Sequence, residues 1–205
     1  MAELVRAASD VGFDGIVVHR AGFPDDGAKF EAELASALPG TTRAVGDWLS
    51  FFSLVEHNRE AQAGVSPELR AWRREMAAHT LVPRWTSGFY QVEQGPLHPF
   101  RWSSGTGVIQ IFNGAGFDRL LRITMEVKAA TPPMTFTLGG DLPTETVTVE
   151  RAGVTFDRTL RLRPGRNTIR MTGECAPAVA PWDTRRLIWR LENPVLQEVS
   201  VPPGR

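Results

Sequence analysis

The chain has 205 residues, 42% hydrophobic and 22% charged, and its 23 basic and 23 acidic residues give a formal net charge of +0. That is globular material for one large or two small domains, and the charge balance argues against a surface for nucleic acid or anionic membrane. The single cysteine, Cys175, excludes an intrachain disulfide, no apolar run reaches the roughly 18 residues of a membrane span, and the opening "AELVRAASDVGFDG" lacks a signal peptide's apolar core, so the chain by itself is expected to stay where it is made.

Near the N-terminus, Leu4, Val5, Ala8 and Val11 share one helical face, and Gly12 suits the position just past a helix end. "GIVV" (15–18) is a β-branched run of the kind found in a strand buried on both faces of a parallel sheet. "GFPDDG" is a loop. Asp25 or Asp26 caps a helix over 27–38, where Phe30, Leu34 and Leu38 recur at i, i+4, i+8. "LPGTTR" ends that helix, and "DWLSFFSLV" (47–55) is the next strand. Two parallel strands and two helices are too little to close a core, so this segment reads as the last βα units of a larger sheet.

From "EHNREAQAG" the composition turns polar and marks a boundary. "SPELRAWRREMAAHTL" predicts a short helix with Ser66 as N-cap, Pro67 at the first helical position, and Leu69, Trp72 and Met76 on one face. After Trp85 the period changes to two. Strands are expected at 108–113, 120–129, 134–140, 145–151, 158–165, 167–173 and 185–199. "GTG" (105–107) and "GG" (139–140) read as hairpin turns, and "LRPGRNTIRM" as strand, Pro-Gly turn and strand with Ile169 and Met171 inward. "VPPGR" is a polar tail. The expected class is α+β: a small α/β (βαβ-like) part at 1–57, a linker with a helix at 58–84, and a jelly-roll-like antiparallel β-sandwich at 85–200.

The order of these words resembles the C-terminal extracytoplasmic region of bacterial polytopic glycosyltransferase-like or sulfatase/phosphoglycerol-transferase-like membrane proteins. "GFDGIVVHRAGFPDDGAKFEAELASAL" with "DWLSFFSL", a helix like "SPELRAWRREM", and "RWTSGFYQVE…FRWSSGTGVIQIFN" carry the resemblance over most of the chain. It implies a terminal sandwich like a carbohydrate-binding module, membrane tethering in the longer protein, and a catalytic part upstream. No catalytic half and no membrane span are present in this sequence, so transferase activity is not carried over.

Chemistry-bearing motifs are sparse. His19, His57, His79 and His98 are scattered without metal spacing, and no P-loop, dinucleotide loop or nucleophile elbow occurs. Asp25–Asp26 is more simply a helix cap than a metal pair. Cys175 reads as a bystander thiol, with no basic neighbour to activate it. No cofactor, metal or catalytic residue is expected.

The aromatics are the stronger signal. Trp85, Phe89, Tyr90, Phe100 and Trp102 cluster in a loop-rich stretch, and Trp182 and Trp189 lie near the other end. A flat ring stacks on the C–H face of a pyranose while polar side chains hold its hydroxyls. The candidate sugar site is therefore Trp85, Tyr90, Arg101, Trp102, Trp182, Asp183 and Arg185, with Arg186 nearby. The competing reading is packing of these rings at the end of the sandwich, favoured above all for Trp189 inside a strand. Asp183 and Arg185 also suit a structural ion pair tying a loop to the sheet.

The expected function is a non-catalytic extracytoplasmic tail of a cell-envelope polysaccharide or phosphoglycerol transferase-like protein. It would pack on a catalytic part or present glycan to it. The alternatives are a free-standing carbohydrate-binding sandwich and, third, a hydrolase or lyase on a jelly roll, which would need carboxylates or histidines converging in a cleft. The expected partners are a glycan, an upstream domain or a second copy, and no nucleic acid.

Overall fold

The computed structural model describes residues 1–178 and 181–202, so residues 203–205 of the polar tail lie outside the described residues. The chain divides into two compact units, residues 1–80 and residues 81–201.

The N-terminal unit begins with α1 (Ala2–Val11), whose Val5 and Ala8 are buried and whose C-cap is Gly12 at φ 96°. Next come β1 (Gly15–His19), α2 (Ala28–Ala37), β2 (Arg43–Val45), β3 (Leu49–Ser53), α3 (Val55–Gln62) and α4 (Pro67–Ala78). Asp25 caps α2 from the loop, accepting the Gly27 and Lys29 amides at 3.2 and 3.0 Å. Those backbone donors hold its carboxyl below the ordinary carboxylate range. Ser66 caps α4 by accepting the Leu69 amide at 3.2 Å, and Pro67 opens the helix.

This unit is the small mixed α/β part, but its strands do not run parallel. The sheet order is β1-β3-β2 and every pair is antiparallel. The connection from β1 to β3 passes through α2 and then β2, a short strand hidden in "TTRAV", which returns the chain beside β3 in the opposite sense. Nor is "GIVV" buried on both faces. Val18 is 2% exposed against the helices, whereas its neighbour Val17 is 61% exposed. The other face of the sheet carries Val17 and Phe51 side by side, with Phe51 lying over Gly15, where a Cβ would sit 2.2 Å from its ring. The polar stretch expected as a break is the helix α3, which buries no residue and is anchored by Asn58 Nδ2 donating to the Phe13 carbonyl at 2.9 Å.

A carboxylate lies inside this unit. Glu31 on α2 accepts Arg20 Nε at 2.9 Å and Ser50 Oγ at 2.5 Å, and Arg43 also donates to it. The Arg20 and Ser50 hydrogen bonds, with the Arg43 charge, bring the carboxyl down to about 2 although burial opposes them.

The second unit is an antiparallel jelly-roll-like sandwich. Its strands are β4 (Pro83–Phe89), β5 (Glu93–Gln94), β6 (Pro99–Asn113), β7 (Arg119–Ala129), β8 (Met134–Gly140), β9 (Glu145–Val149), β10 (Val154–Leu162), β11 (Gly165–Glu174) and β12 (Trp189–Glu198). The pairing order is β10-β7-β12-β6-β11-β8-β9, with β4 and β5 also on β6. The long strand β6 changes partner along its length. Residues 100–103 pair with β12, and residues 106–113 pair with β11.

Alternation then builds the core. Ile109, Ile123, Met125, Val127, Phe136, Phe156, Ile169, Met171, Trp189 and Leu191 are all buried in one cluster. Phe136 of β8 meets Phe156 of β10 at 5.4 Å and Trp189 of β12 edge-on at 5.2 Å, joining strands that are not hydrogen-bonded to each other. Arg119, fully buried at the start of β7, donates its Nε to Glu198 at 2.6 Å near the end of β12.

The "GTG" motif is not a hairpin turn. Gly105 and Gly107 lie inside β6, where its partner changes from β12 to β11. The Gly105 carbonyl accepts Trp189 Nε1 at 2.8 Å, and a Cβ on Gly107 would meet the Phe89 ring at 2.3 Å. A φ of 128° at Gly105 and the close approach of the Phe89 ring at Gly107, rather than a chain reversal, require these glycines. The stretch read as loop-rich is mostly strand as well, because β4, β5 and the first half of β6 fill it. Bulges at Trp85/Ser87 and Ser87/Phe89 interrupt the alternation of β4 that would have revealed it.

Candidate functional site

The strand register fixes which side chains share the outer face. Trp189 and Leu191 of β12 and Val127 of β7 point into the core, so Arg190, Glu192, Glu126 and Lys128 point out. Arg190 lies opposite Trp102 and Glu192 opposite Phe100, while Glu93 of β5 lies opposite Phe100 from the other side. Two rows therefore cross the strands. One is Glu93, Phe100, Glu192 and Glu126, and the other is Trp102, Arg190 and Lys128.

The rows neutralise each other. Lys128 Nζ sits 2.7 Å from Glu192 and 3.2 Å from Glu126, and Arg190 Nη2 sits 2.6 Å from Glu192. The Glu192 hydrogen bond leads in holding the Lys128 ammonium above its ordinary range. Burial is the largest influence on Glu192 and pushes its carboxyl up, but Lys128 and Arg190 together hold it below the usual carboxylate value. The Gly95–His98 turn overhangs this face and encloses a cleft of about 320 Å³.

At β5 the outer row meets the loop of residues 181–186 through Arg185. Arg185 Nε and Nη2 donate to Asp183 at 2.9 and 2.6 Å, and Nη1 donates to Glu93 at 2.7 Å, tying the loop to the sheet. Arg185, by side chain and by backbone amide, holds the Asp183 carboxyl down at about 2. The Arg185 guanidinium lies 5.1 Å above the Tyr90 ring, and the Tyr90 hydroxyl accepts the Arg186 amide at 3.2 Å. Trp182, in the same loop, is 95% exposed.

The expected site residues thus separate. Tyr90, Asp183 and Arg185 come together in direct contact, and Trp182 stands beside them in the chain. Arg101 touches this group through Nη1 donating to the Tyr90 carbonyl at 3.1 Å. Its guanidinium, however, lies 5.0 Å over Trp85, and the Trp85 ring packs edge-on to Phe89 against the core. Trp102 points to the outer face, where Arg190 covers both it and Phe100 at 5.4 and 5.2 Å. Arginine therefore lies over the rings of Trp85, Tyr90, Phe100 and Trp102. Sequence reasoning missed Glu93, Glu126, Lys128, Arg190 and Glu192. For Glu126, Lys128, Arg190 and Glu192 the only sequence signal is charge at alternate positions in "MEVKA" and "WRLEN", and Glu93 has none. Among the described residues, no group of three or more His, Cys, Asp or Glu side chains is placed to hold a metal ion, and no helix is long and apolar enough to cross a membrane.

No family model matches this sequence, and no curated protein matches it. Among solved structures, it is similar to a ruminal GH26 endo-β-1,4-mannanase (13% identity, TM-score 0.32, 58% of this chain and 21% of that one). It is also similar to a Podospora anserina GH26-CBM35 β-(1,4)-mannanase (13%, 0.36, 60% and 29%). A third is a carbohydrate binding module from Cellvibrio mixtus lichenase 5A in complex with cellotriose (11%, 0.31, 60% and 91%). The chain spans less than a third of either mannanase. Likeness at this level concerns the sandwich fold alone, and that fold stands on the strand register given above.

Proposed function

We propose that the sandwich unit is a non-catalytic glycan-binding module whose ligand sits on the loop of residues 181–186. The observation that carries this reading is Trp182, a ring 95% exposed beside the fixed Asp183–Arg185–Glu93 network. An exposed indole offers a stacking face for a pyranose, and a paired carboxylate and guanidinium offer acceptors and donors to its hydroxyls with little reorganisation.

The test is Trp182→Ala against a panel of polysaccharides by affinity electrophoresis and calorimetry. Loss of the ring is expected to weaken binding by about 2 kcal/mol, roughly thirtyfold in Kd. The melting temperature should stay unchanged, since the side chain is exposed. Unaltered binding by the variant, or no binding to any glycan, would sink the proposal.

The finer reading is that this module serves a cell-envelope polysaccharide or phosphoglycerol transferase-like protein, packing on its catalytic part or presenting glycan to it. Support comes from the sequence resemblance and from the N-terminal unit, where Val17, Trp48, Leu49 and Phe51 are exposed. Apolar area of that kind suits a protein partner. An antibody to residues 1–80 should detect, in membranes of the source cells, a band well above 22.6 kDa. A soluble band at 22.6 kDa would favour the free-standing module instead.

A further inference from the structure

We propose that the cleft beneath the Gly95–His98 turn is a second sugar subsite, in line with the Trp182 loop, and that the ligand is an uncharged chain of several sugar residues crossing the strands. This rests on the glycan-binding reading of the loop.

Alignment is the first argument. Glu126, Glu192, Phe100 and Glu93 are successive cross-strand partners on β7, β12, β6 and β5. At the usual spacing between strands that row is roughly 14 Å long. Glu93 ends it, and Glu93 is the residue to which Arg185 binds beside Asp183. The cleft and the loop are therefore two ends of one track, joined through β5. A single sugar on the loop would leave the cleft end unused, and a chain laid perpendicular to the strands would meet both.

Charge is the second argument. The ionised groups lining the cleft are Glu126, Glu192, Lys128 and Arg190, two of each sign, and the acids already hold the bases. An anionic sugar would have to break those pairs and would face Glu126 and Glu192. A neutral polyol needs neither charge. Each pair keeps lone pairs and N–H groups to offer vicinal hydroxyls, and the surroundings stay electrically balanced.

The experiment measures Kd for neutral β-linked gluco-, manno- and xylo-oligosaccharides from di- to hexasaccharide, and for oligogalacturonides, in low and high salt. Affinity for one neutral series should rise by roughly tenfold or more between the di- and the tetrasaccharide, without salt dependence. Arg190→Met, and independently His98→Ala at an exposed position of the turn, should bring the long fragments down to the affinity of the short ones. Trp182→Ala should weaken all lengths. If Trp182→Ala abolishes binding while affinity is independent of length and both cleft variants bind normally, the loop site stands and the track is wrong. Preference for oligogalacturonides, weakened by salt, overturns the uncharged ligand. Failure of every oligosaccharide to bind overturns the track together with the loop site.

Discussion

Trp189→Ala is expected to cost the sandwich about 4 kcal/mol, enough to unfold much of the population of a marginally stable domain. Trp189 is fully buried. Its ring meets Phe136 of β8 edge-on at 5.2 Å and Phe89 of β4 at 5.5 Å. Its Nε1 donates to Gly105, where β6 changes partner from β12 to β11, and a Cβ on Gly173 would come within 2.4 Å of the ring. Truncation would open a cavity at that junction and leave the Gly105 carbonyl without its donor. Trp189→Phe separates the two effects. It keeps most of the packing and loses the N–H, so about 1–2 kcal/mol is expected. Urea titrations followed by near-UV circular dichroism measure both. A Trp189→Ala loss no larger than that of Trp189→Phe would mean that the sandwich closes without this ring.

Glu31→Ala is expected to destabilise the N-terminal unit by about 3 kcal/mol, roughly a hundredfold in its opening equilibrium. The change leaves Arg20, Arg43 and Ser50 facing a site without its carboxylate. The wild-type pair should also show in the pH dependence. The Glu31 carboxyl is lowered from 4.5 to about 2 on folding, so its contribution is complete above pH 4.5. It then declines as the pH falls and is lost below about 2. Glu31→Gln should remove that slope. Hydrogen exchange on peptides from residues 1–80 isolates this unit from the sandwich. Equal exchange rates for wild type and variant across that window would mean the carboxylate contributes nothing to folding.

Part of the candidate site's geometry was legible in the sequence. The Asp183–Arg185 pair is close in the chain, so local geometry alone brings it about, and the structure adds Glu93 as the anchor on β5. Trp182 sits among Pro and polar residues, where an exposed ring is unsurprising. Trp85 and Trp102 were candidates for a bare platform, but the sequence does not say which arginine will lie over which ring. Arg101 reaches Trp85, and Arg190 reaches Trp102 from a strand 88 positions later in the chain.

By itself the sequence determined what depends on short range. Period-two alternation from Val108 onward placed most sandwich strands and the inward Ile169 and Met171, because side chains of a strand alternate whatever it pairs with. Ser66 and Asp25 marked their helix starts, because a cap acts on amides within a few residues. The tertiary structure alone decided what depends on who neighbours whom. It set the antiparallel sense of β1 and β3, the open face at Val17, and the need for glycine inside β6, a left-handed φ at Gly105 and a ring contact at Gly107 rather than a turn. It also decided the track from Glu126 to Glu93. Cross-strand partners are set by the hydrogen-bond register of segments far apart in the chain, and no local pattern encodes that register.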